Sequence, residues 1–244
     1  MLVTGGEGQL GRELAISSGP NIECVAVARG QLDIGNPQSV ARMMAELKPQ
    51  VVINAAAYTA VDKAESEAAQ ARRVNALGPG FLAAACREQG ARMIHVSTDF
   101  VFDGESSRPY SPDSPPCPIG EYGRSKLAGE VAVHGELPGA LTVRTAWLYS
   151  DRGANFVKTM LSLMAGRDEL SVVADQVGSP TWVRGLAAAL WAAVERPQLR
   201  GIYHWTDAGV CSWYDFAVAI CEDACAAGLL DKPVKIRPIP GTDY

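Results

Sequence analysis

The 244-residue chain has no long apolar run. Crossing a bilayer as a helix takes about 20 predominantly apolar residues, and the stretch from Phe81 to Cys86 already ends at Arg87 and Glu88. An excess of basic residues is also missing: 22 Lys and Arg stand against 27 Asp and Glu, a formal charge of −5. Sequence-independent binding to nucleic acid relies on many Lys and Arg contacts to phosphate, so nucleic acid is not the expected partner. Extremes of composition are absent too. With 48% hydrophobic and 20% charged residues, the chain is neither collagen-like, disordered nor a small disulfide scaffold. The six cysteines (Cys24, Cys86, Cys117, Cys211, Cys221, Cys225) form no CxxC and have no His cluster beside them. Only Cys221 and Cys225, one helical turn apart, hint at a metal pair. The expectation is therefore no metal, and reduced, mostly buried thiols in a reducing compartment. The chain opens directly on a Gly-rich motif without a charged leader or apolar signal region, so a soluble cytoplasmic enzyme is expected. No internal repeat or low-complexity segment interrupts it.

What is present is alternation. Short apolar runs alternate with helical patterns through the first half, the signature of a parallel sheet covered by helices. Strands are predicted at Met1 to Val3, Glu23 to Ala28, Val51 to Ala55 and Arg92 to Ser97. The first helix runs to about Ser18. Asn36-Pro37 is an N-cap and N1 pair opening a helix that stops near Lys48-Pro49. Two further helical stretches meet near Gly78-Pro79-Gly80. A Pro-rich loop follows from about Asp103 to Gly120, a length that in compact domains is often functional. Then come a helix from about Tyr122 and a strand from Leu141 to Leu148. Beyond Tyr149 the pattern is less regular, with helices near Asn155 to Ala165 and Val183 to Glu195. Short strands are expected at Leu170 to Val173 and Gly201 to Trp205, and Ser212 with Asp215 forms a capping-box start to a last helix. The expected division is a nucleotide-binding domain over 1–150 and a smaller α/β substrate-binding region over 151–244.

Three motifs carry chemistry. Gly5, Gly8 and Gly11 give GxxGxxG between the first strand and first helix, a spacing variant of the dinucleotide fingerprint. Such glycines permit a tight turn, close approach of backbone to pyrophosphate and close helix packing. Arg29, at the end of the second strand, favours the 2′-phosphate of NADP over the ribose hydroxyl of NAD, although a solvated surface Arg reads the same way. Tyr122-Gly123-Arg124-Ser125-Lys126 puts a phenol and an ammonium on one helix face, where a nearby cation would lower the phenol's pKa. YxxxK is common by chance; its place after the fourth strand and the long loop gives it weight. Ser97-Thr98-Asp99 stands at the C-terminal end of that strand, where open α/β sheets place ligands. His95 reads as core and His204 as structural.

In this combination the chain resembles the extended short-chain dehydrogenase/reductase superfamily and, within it, the dTDP-4-dehydrorhamnose reductase family. The resemblance rests on Asn54 to Glu65 (NAAAYTAVDKAE), Ser97 to Gly104 (STDFVFDG), Tyr122 to Glu130 (YGRSKLAGE) and Arg144 to Tyr149 (RTAWLY). It extends through Asn155-Phe156, Asp175 to Thr181 (DQVGSPT) and Gly201 to His204 (GIYH), in the family's order over nearly the whole chain. It implies a Rossmann-type doubly wound parallel sheet and reduction of a dTDP-linked 4-keto-6-deoxy sugar by NADPH, with NADH as the other candidate cofactor. The resemblance assigns Tyr122 as proton donor, Lys126 to the nicotinamide ribose and Thr98 to the carbonyl oxygen. Gly8, Gln9 and Leu10 would contact the pyrophosphate region, Asp33 and Ile34 would flank the adenine, and Ala56, Ala57 and Tyr58 would line the cofactor channel. Thr98, Asp99 and Trp147 would meet the substrate, with Thr59 and Val61 nearby.

The match has departures. Phe100 stands where the family often has Tyr, and Gly185 follows Arg184 where an acid is common, which predicts a missing local ion pair. Relatives continue for roughly a further helix and tail, so residues are expected beyond both ends. The same superfamily offers other functions. One is a sugar-nucleotide epimerase or dehydratase, the latter disfavoured because Phe100 replaces the second acid of an Asp-Glu pair. Another is a non-catalytic NADP-binding regulatory subunit like the β subunit of methionine adenosyltransferase. The sequence also allows a homodimer.

Overall fold

The computed structural model describes residues 1–243, which divide into two compact units. The first comprises Met1–Thr145 and Arg184–Trp205; the second comprises Ala146–Val183 and the described residues from Thr206 onward. The chain first passes from one unit to the other between Thr145 and Ala146. The return of 184–205 to the first unit was not expected.

The first unit is built on a six-stranded sheet whose strand pairs are all parallel. Its strands are β1 (Leu2–Thr4), β2 (Val25–Val27), β3 (Val51–Asn54), β4 (Arg92–Thr98), β5 (Leu141–Thr145) and β10 (Gly201–His204). Their spatial order is β10-β5-β4-β3-β1-β2, so the order reverses between β1 and β3. Open α/β sheets bind ligands outside the strand C-termini at such a reversal. Helices α1 (Gln9–Ile16), α2 (Pro37–Leu47), α5 (Gly78–Gln89) and α6 (Glu121–Glu136) connect the strands. Between β3 and α5 run α3 (Val61–Ser66), α4 (Ala68–Arg72) and a π-helical turn at Arg73–Leu77. The two helical stretches expected to meet at Gly78-Pro79-Gly80 are joined by that turn. Pro79 sits in the first turn of α5, directly after that π-helical turn.

Local chemistry explains most element ends. The Asn36 side chain accepts from the Gln38 and Ser39 N–H groups ahead of α2. Val40 and Met44 on α2 pack with Leu82, Ala83 and Cys86 on α5 in one apolar core over Leu2, Val52 and Met93. The returning helix α8 (Val183–Val194) ends on Arg92, whose guanidinium donates to the carbonyls of Ala193, Val194, Arg196 and Leu199. One strand side chain thus satisfies the last two carbonyls of the helix and two in the turn beyond it.

The predicted strand from Leu141 to Leu148 is broken. Trp147 has a φ of 47°, in the left-handed region, which ends β5 at Thr145 and starts a separate β6 (Leu148–Tyr149). In the second unit β6 pairs with β9 (Thr181–Trp182), and β8 (Val177–Gly178) pairs antiparallel with β11 (Cys211–Ser212). There β7 (Glu169–Val173) pairs parallel with β12 (Lys235–Ile239), a strand the sequence pattern did not reveal. Helices α7 (Phe156–Met164) and α9 (Trp213–Ala226) cover that ladder through Met160, Met164, Leu170, Val172, Ala217 and Ile220. The capping box at Ser212 and Asp215 is formed as predicted.

Among the described residues no helix is long and apolar enough to cross a membrane, and no group of three or more His, Cys, Asp or Glu is placed to hold a metal ion. All six cysteines are free thiols.

Candidate active site

The glycine motif fills the turn from β1 into α1. Gly5 has a φ of 72°, and a Cβ there would lie 2.8 Å from the Ala55 carbonyl oxygen. A Cβ on Gly11 would overlap the Gly5 carbonyl oxygen. Gly8 is the N-cap of α1 and offers no side-chain acceptor to the first turn. The result is a cradle of exposed main chain at a helix N-terminus, shaped as a pyrophosphate requires. Gly8 and Glu7 on it are exposed, Gln9 is half-buried, and Leu10 turns into the core. The floor is tied by the Thr4 hydroxyl, which donates to Asn54 at 2.6 Å and accepts from the Ala56 N–H at 3.2 Å.

At the neighbouring end of β2, Asp33 accepts from the Gly35 N–H and pairs with Arg73 at 2.9 Å. Burial alone would raise the Asp33 carboxyl, but the Arg73 hydrogen bond, the Gly35 N–H and the charges of Arg73 and Arg29 together hold it below its usual range. Arg29 itself is exposed. Ile34 has a buried side chain, packed on Gly78, so only its main chain can meet a ligand. Ala57 and Tyr58 follow on a half-buried loop, in which the Tyr58 N–H is bound by Asn75 and its hydroxyl donates to Glu67. Thr59 is exposed, and Val61 begins α3.

Helix α6 carries the Tyr-Lys pair. Its N-cap, Gly120, has no side chain to offer, and the Glu65 carboxylate on α3 accepts the Glu121 N–H at 2.6 Å instead. Glu121 is in turn gripped by Arg72. The buried Asn75 amide donates to the Tyr58 carbonyl and to Ser125 Oγ, and Ser125 donates to the Tyr122 carbonyl. The loop after β3 and the helix bearing Tyr122 are therefore held by one buried amide. Two glycines let α6 approach this closely: a Cβ on Gly123 would overlap the Phe100 carbonyl oxygen, and one on Gly129 that of Asn75.

Tyr122, Thr98, Asp99 and Lys126 converge at the C-terminal end of β4. The Thr98 hydroxyl donates to Asp99 at 3.0 Å and stands beside the Tyr122 phenol. The Phe100 ring meets the Tyr122 ring edge-on at 5.3 Å. Burial pushes the Tyr122 phenol up to about 12, with the Thr98 hydrogen bond opposing and the Asp99 charge adding to the rise. The expected depression by Lys126 is absent. The Lys126 ammonium is buried and donates to the Val96 carbonyl at 2.8 Å, and burial lowers it to about 8 against the pull of Glu130. Asp99 is raised to about 6 by burial, with hydrogen bonds from Thr98 and main-chain N–H groups opposing. A phenol that keeps its proton at neutral pH, beside a hydroxyl and an ammonium, is equipped to donate that proton to an oxyanion.

One feature of the first unit lies beside this cluster without including it. A cavity of about 420 Å³ is walled by Leu127, Val131 and Ile202 and by Glu130, His134 and Arg144, with no part of Tyr122, Lys126 or Thr98 in its wall. In the second unit Trp147 stacks on Trp213 at 3.4 Å, and a Cβ on Gly178 would lie 2.6 Å from its indole. A bulky residue with positive φ, braced by its neighbours in this way, is often part of a ligand clamp.

Several polar residues of the site had no role in the expectations from sequence: Arg73, Asn75, Glu130 and Arg144. The four-residue steps Tyr122, Lys126, Glu130 and His134 would have pointed to Glu130. For Asn75 the sequence carries no comparable signal. The expected gap at Arg184 is filled by Glu13, at 3.6 Å.

Known proteins share both this sequence and this fold. The RmlD substrate binding domain profile matches residues 1–244. The dTDP-4-dehydrorhamnose reductase of Burkholderia thailandensis is 46% identical over 254 residues, covering 100% of this chain and 85% of that protein. The dTDP-4-keto-6-deoxy-D-glucose reductase of Streptomyces niveus is 43% identical, covering 98% of this chain and 82% of its own length. The crystal structure of dTDP-4-dehydrorhamnose reductase from Bacillus anthracis in complex with NADP matches with a TM-score of 0.94 and 38% identity, covering 99% of this chain and 84% of that one. A parallel sheet with its order reversed at a glycine turn, a Tyr-Lys helix against its fourth strand, and these full-length matches agree: the chain belongs to the RmlD substrate-binding-domain family.

Proposed function

We propose that this chain is an NADPH-dependent reductase of the C4 keto group of a dTDP-linked 4-keto-6-deoxy sugar, converting dTDP-4-dehydro-L-rhamnose to dTDP-L-rhamnose. The observation that carries the reading is the cluster of Tyr122, Thr98 and Lys126 at the end of β4, in a chain of this family.

The residues present fit the cofactor. The cradle at Gly5, Gly8 and Gly11 excludes Cβ atoms where backbone must approach a pyrophosphate. Gln9 and Leu10 offer main chain beside it, while Arg29 and Arg73 supply positive charge near Asp33, where a 2′-phosphate would lie. Ala56, Ala57 and Tyr58 would line the cofactor channel, and the Lys126 ammonium would hold the ribose. Bound NADPH supplies the hydride to the C4 carbonyl.

The chain's own residues manage the oxygen. Thr98 turns its one hydroxyl proton from Asp99 to the carbonyl oxygen, and Tyr122 donates its proton as charge develops there. Buried surroundings keep that proton on the phenol until an alkoxide, a far stronger base, needs it. Asp99 orients Thr98 and, with Thr59 and Val61, meets the sugar nucleotide. The likeness to the Streptomyces niveus enzyme favours a second substrate, the 4-keto-6-deoxy-D-glucose nucleotide.

The test is NADPH oxidation by purified protein with a panel of keto sugar nucleotides, repeated with NADH. Turnover with dTDP-4-dehydro-L-rhamnose supports the first reading. Turnover with the gluco isomer alone moves the assignment to the second. NADP binding with no turnover on any keto sugar leaves a regulatory subunit.

A further inference from the structure

Helix α6 turns Lys126, Glu130 and His134 inward at four-residue steps. One turn beyond Lys126, the Glu130 carboxylate is 2% exposed and accepts two hydrogen bonds from Arg144 on β5, at 2.9 and 2.7 Å. Arg144 is 4% exposed, and its guanidinium lies over the Phe102 ring at 5.1 Å. A buried ion pair is a poor source of stability, since apolar side chains of equal volume fill the same space with less desolvation. The charges themselves therefore need a role.

We infer that Glu130, locked by Arg144, is a positioning residue that fixes a negative charge beside Lys126 and keeps its buried ammonium protonated. The inference deepens the reading of Tyr122 and Lys126 as the proton-donating pair and rests on it. The groups facing Lys126 leave Glu130 as the counter-charge. Along α6 these are Tyr122, which is neutral, and Glu130; from β4 comes His95, and from β5 Arg144, whose cation is bound to Glu130 and offsets part of its charge. Burial holds His95 well below its ordinary value, and its Nδ1 is engaged by the Asn54 amide at 3.0 Å, so it stays neutral. His134, farther along the helix, is also lowered by burial and bonded to Thr142. The carboxylate is immobile because both its oxygens are bound.

The test is titration of Lys126 Nζ by NMR of isotope-labelled lysine in the full chain, alongside the pH profile of kcat. In Glu130→Gln, Lys126 should lose its proton about one pH unit lower or more, a roughly tenfold larger neutral fraction at a given pH. The high-pH limb of kcat should move with it. Glu130→Asp should restore both, and Glu130→Gln with Arg144→Met should fall between. A folded Glu130→Gln whose Lys126 titrates as in the wild type overturns the inference. Should that variant fail to fold, the double variant decides the same question, because it leaves no unpaired buried charge. The titration needs neither substrate nor cofactor. A shifted Lys126 in a chain without turnover would therefore count against the proposed function and not against the role of Glu130.

Discussion

Helices α5 and α6 pack against each other over the same sheet yet bury opposite chemistries. Helix α5 turns Leu82, Ala83 and Cys86 inward, and they join an apolar core with α2. Helix α6 buries Glu121, Ser125, Lys126 and Glu130, each held by a named partner. By apolar periodicity α5 is a weakly amphipathic helix and α6 is not amphipathic. Local rules break where a site is built, and here the break coincides with the groups proposed to react. Helix α5 stabilises the unit, whereas α6 gives up stability for charge placement.

Substitutions on the two helices should separate these tasks. Tyr122→Phe is expected to lower kcat by about 10²–10⁴ while NADPH affinity, measured by fluorescence titration, stays nearly unchanged. Full activity in that variant would remove Tyr122 as the acid. Leu82→Ala on α5 should do the converse, costing about 2–5 kcal/mol in urea unfolding with kcat intact. A large loss of kcat there would erase the contrast.

Asp99 provides a pH test. Its folded pKa of about 6 lies above the ordinary carboxylate value of 3.8. Its contribution to stability is therefore fully present below about 4 and is lost as pH rises through about 6. At neutral pH the buried carboxylate is a liability of about 2–3 kcal/mol. Asp99→Asn should accordingly raise Tm at pH 7, with the gain vanishing near pH 4, and should lower kcat/KM. A Tm gain independent of pH would show that its ionisation is not the cause. The smallest effect belongs to Ser125→Ala, which cuts the link from Asn75 to the Tyr122 carbonyl. It should cost about 1 kcal/mol in unfolding and a few-fold in kcat.

The sheet was legible because each parallel strand is a short apolar run bounded by turn residues. The cap at Asn36 and the capping box at Ser212 were legible because they are local hydrogen-bond motifs. Legibility failed where the deciding partner is remote. Nothing in the run from Leu141 to Leu148 announces the left-handed Trp147, since the brace comes from Gly178 and Trp213. Periodicity says that α8 is buried but not that Arg92 will receive its end. The Lys235–Ile239 strand is short and carries Pro238, a poor strand signal, and its pairing with Glu169–Val173 is long-range. At the site, Tyr122, Lys126 and Thr98 could be named from spacing and family resemblance. The physical state of the phenol could not, because it depends on how deeply the pair is buried and on where the ammonium points.

Gly123 and Gly129 seat α6 against the carbonyl oxygens of Phe100 and Asn75. For an evolving or engineered enzyme this closes one route to new chemistry. Neither position can accept even a methyl group without displacing main chain, so the helix that carries the proposed acid cannot drift to follow a differently shaped sugar. Laboratory libraries should find these two positions nearly invariant while exposed Arg124 and Ala128 tolerate change. New substrate range would then be sought in the loops at residues 59–61 and 103–120, with the proton donor left as a fixed point.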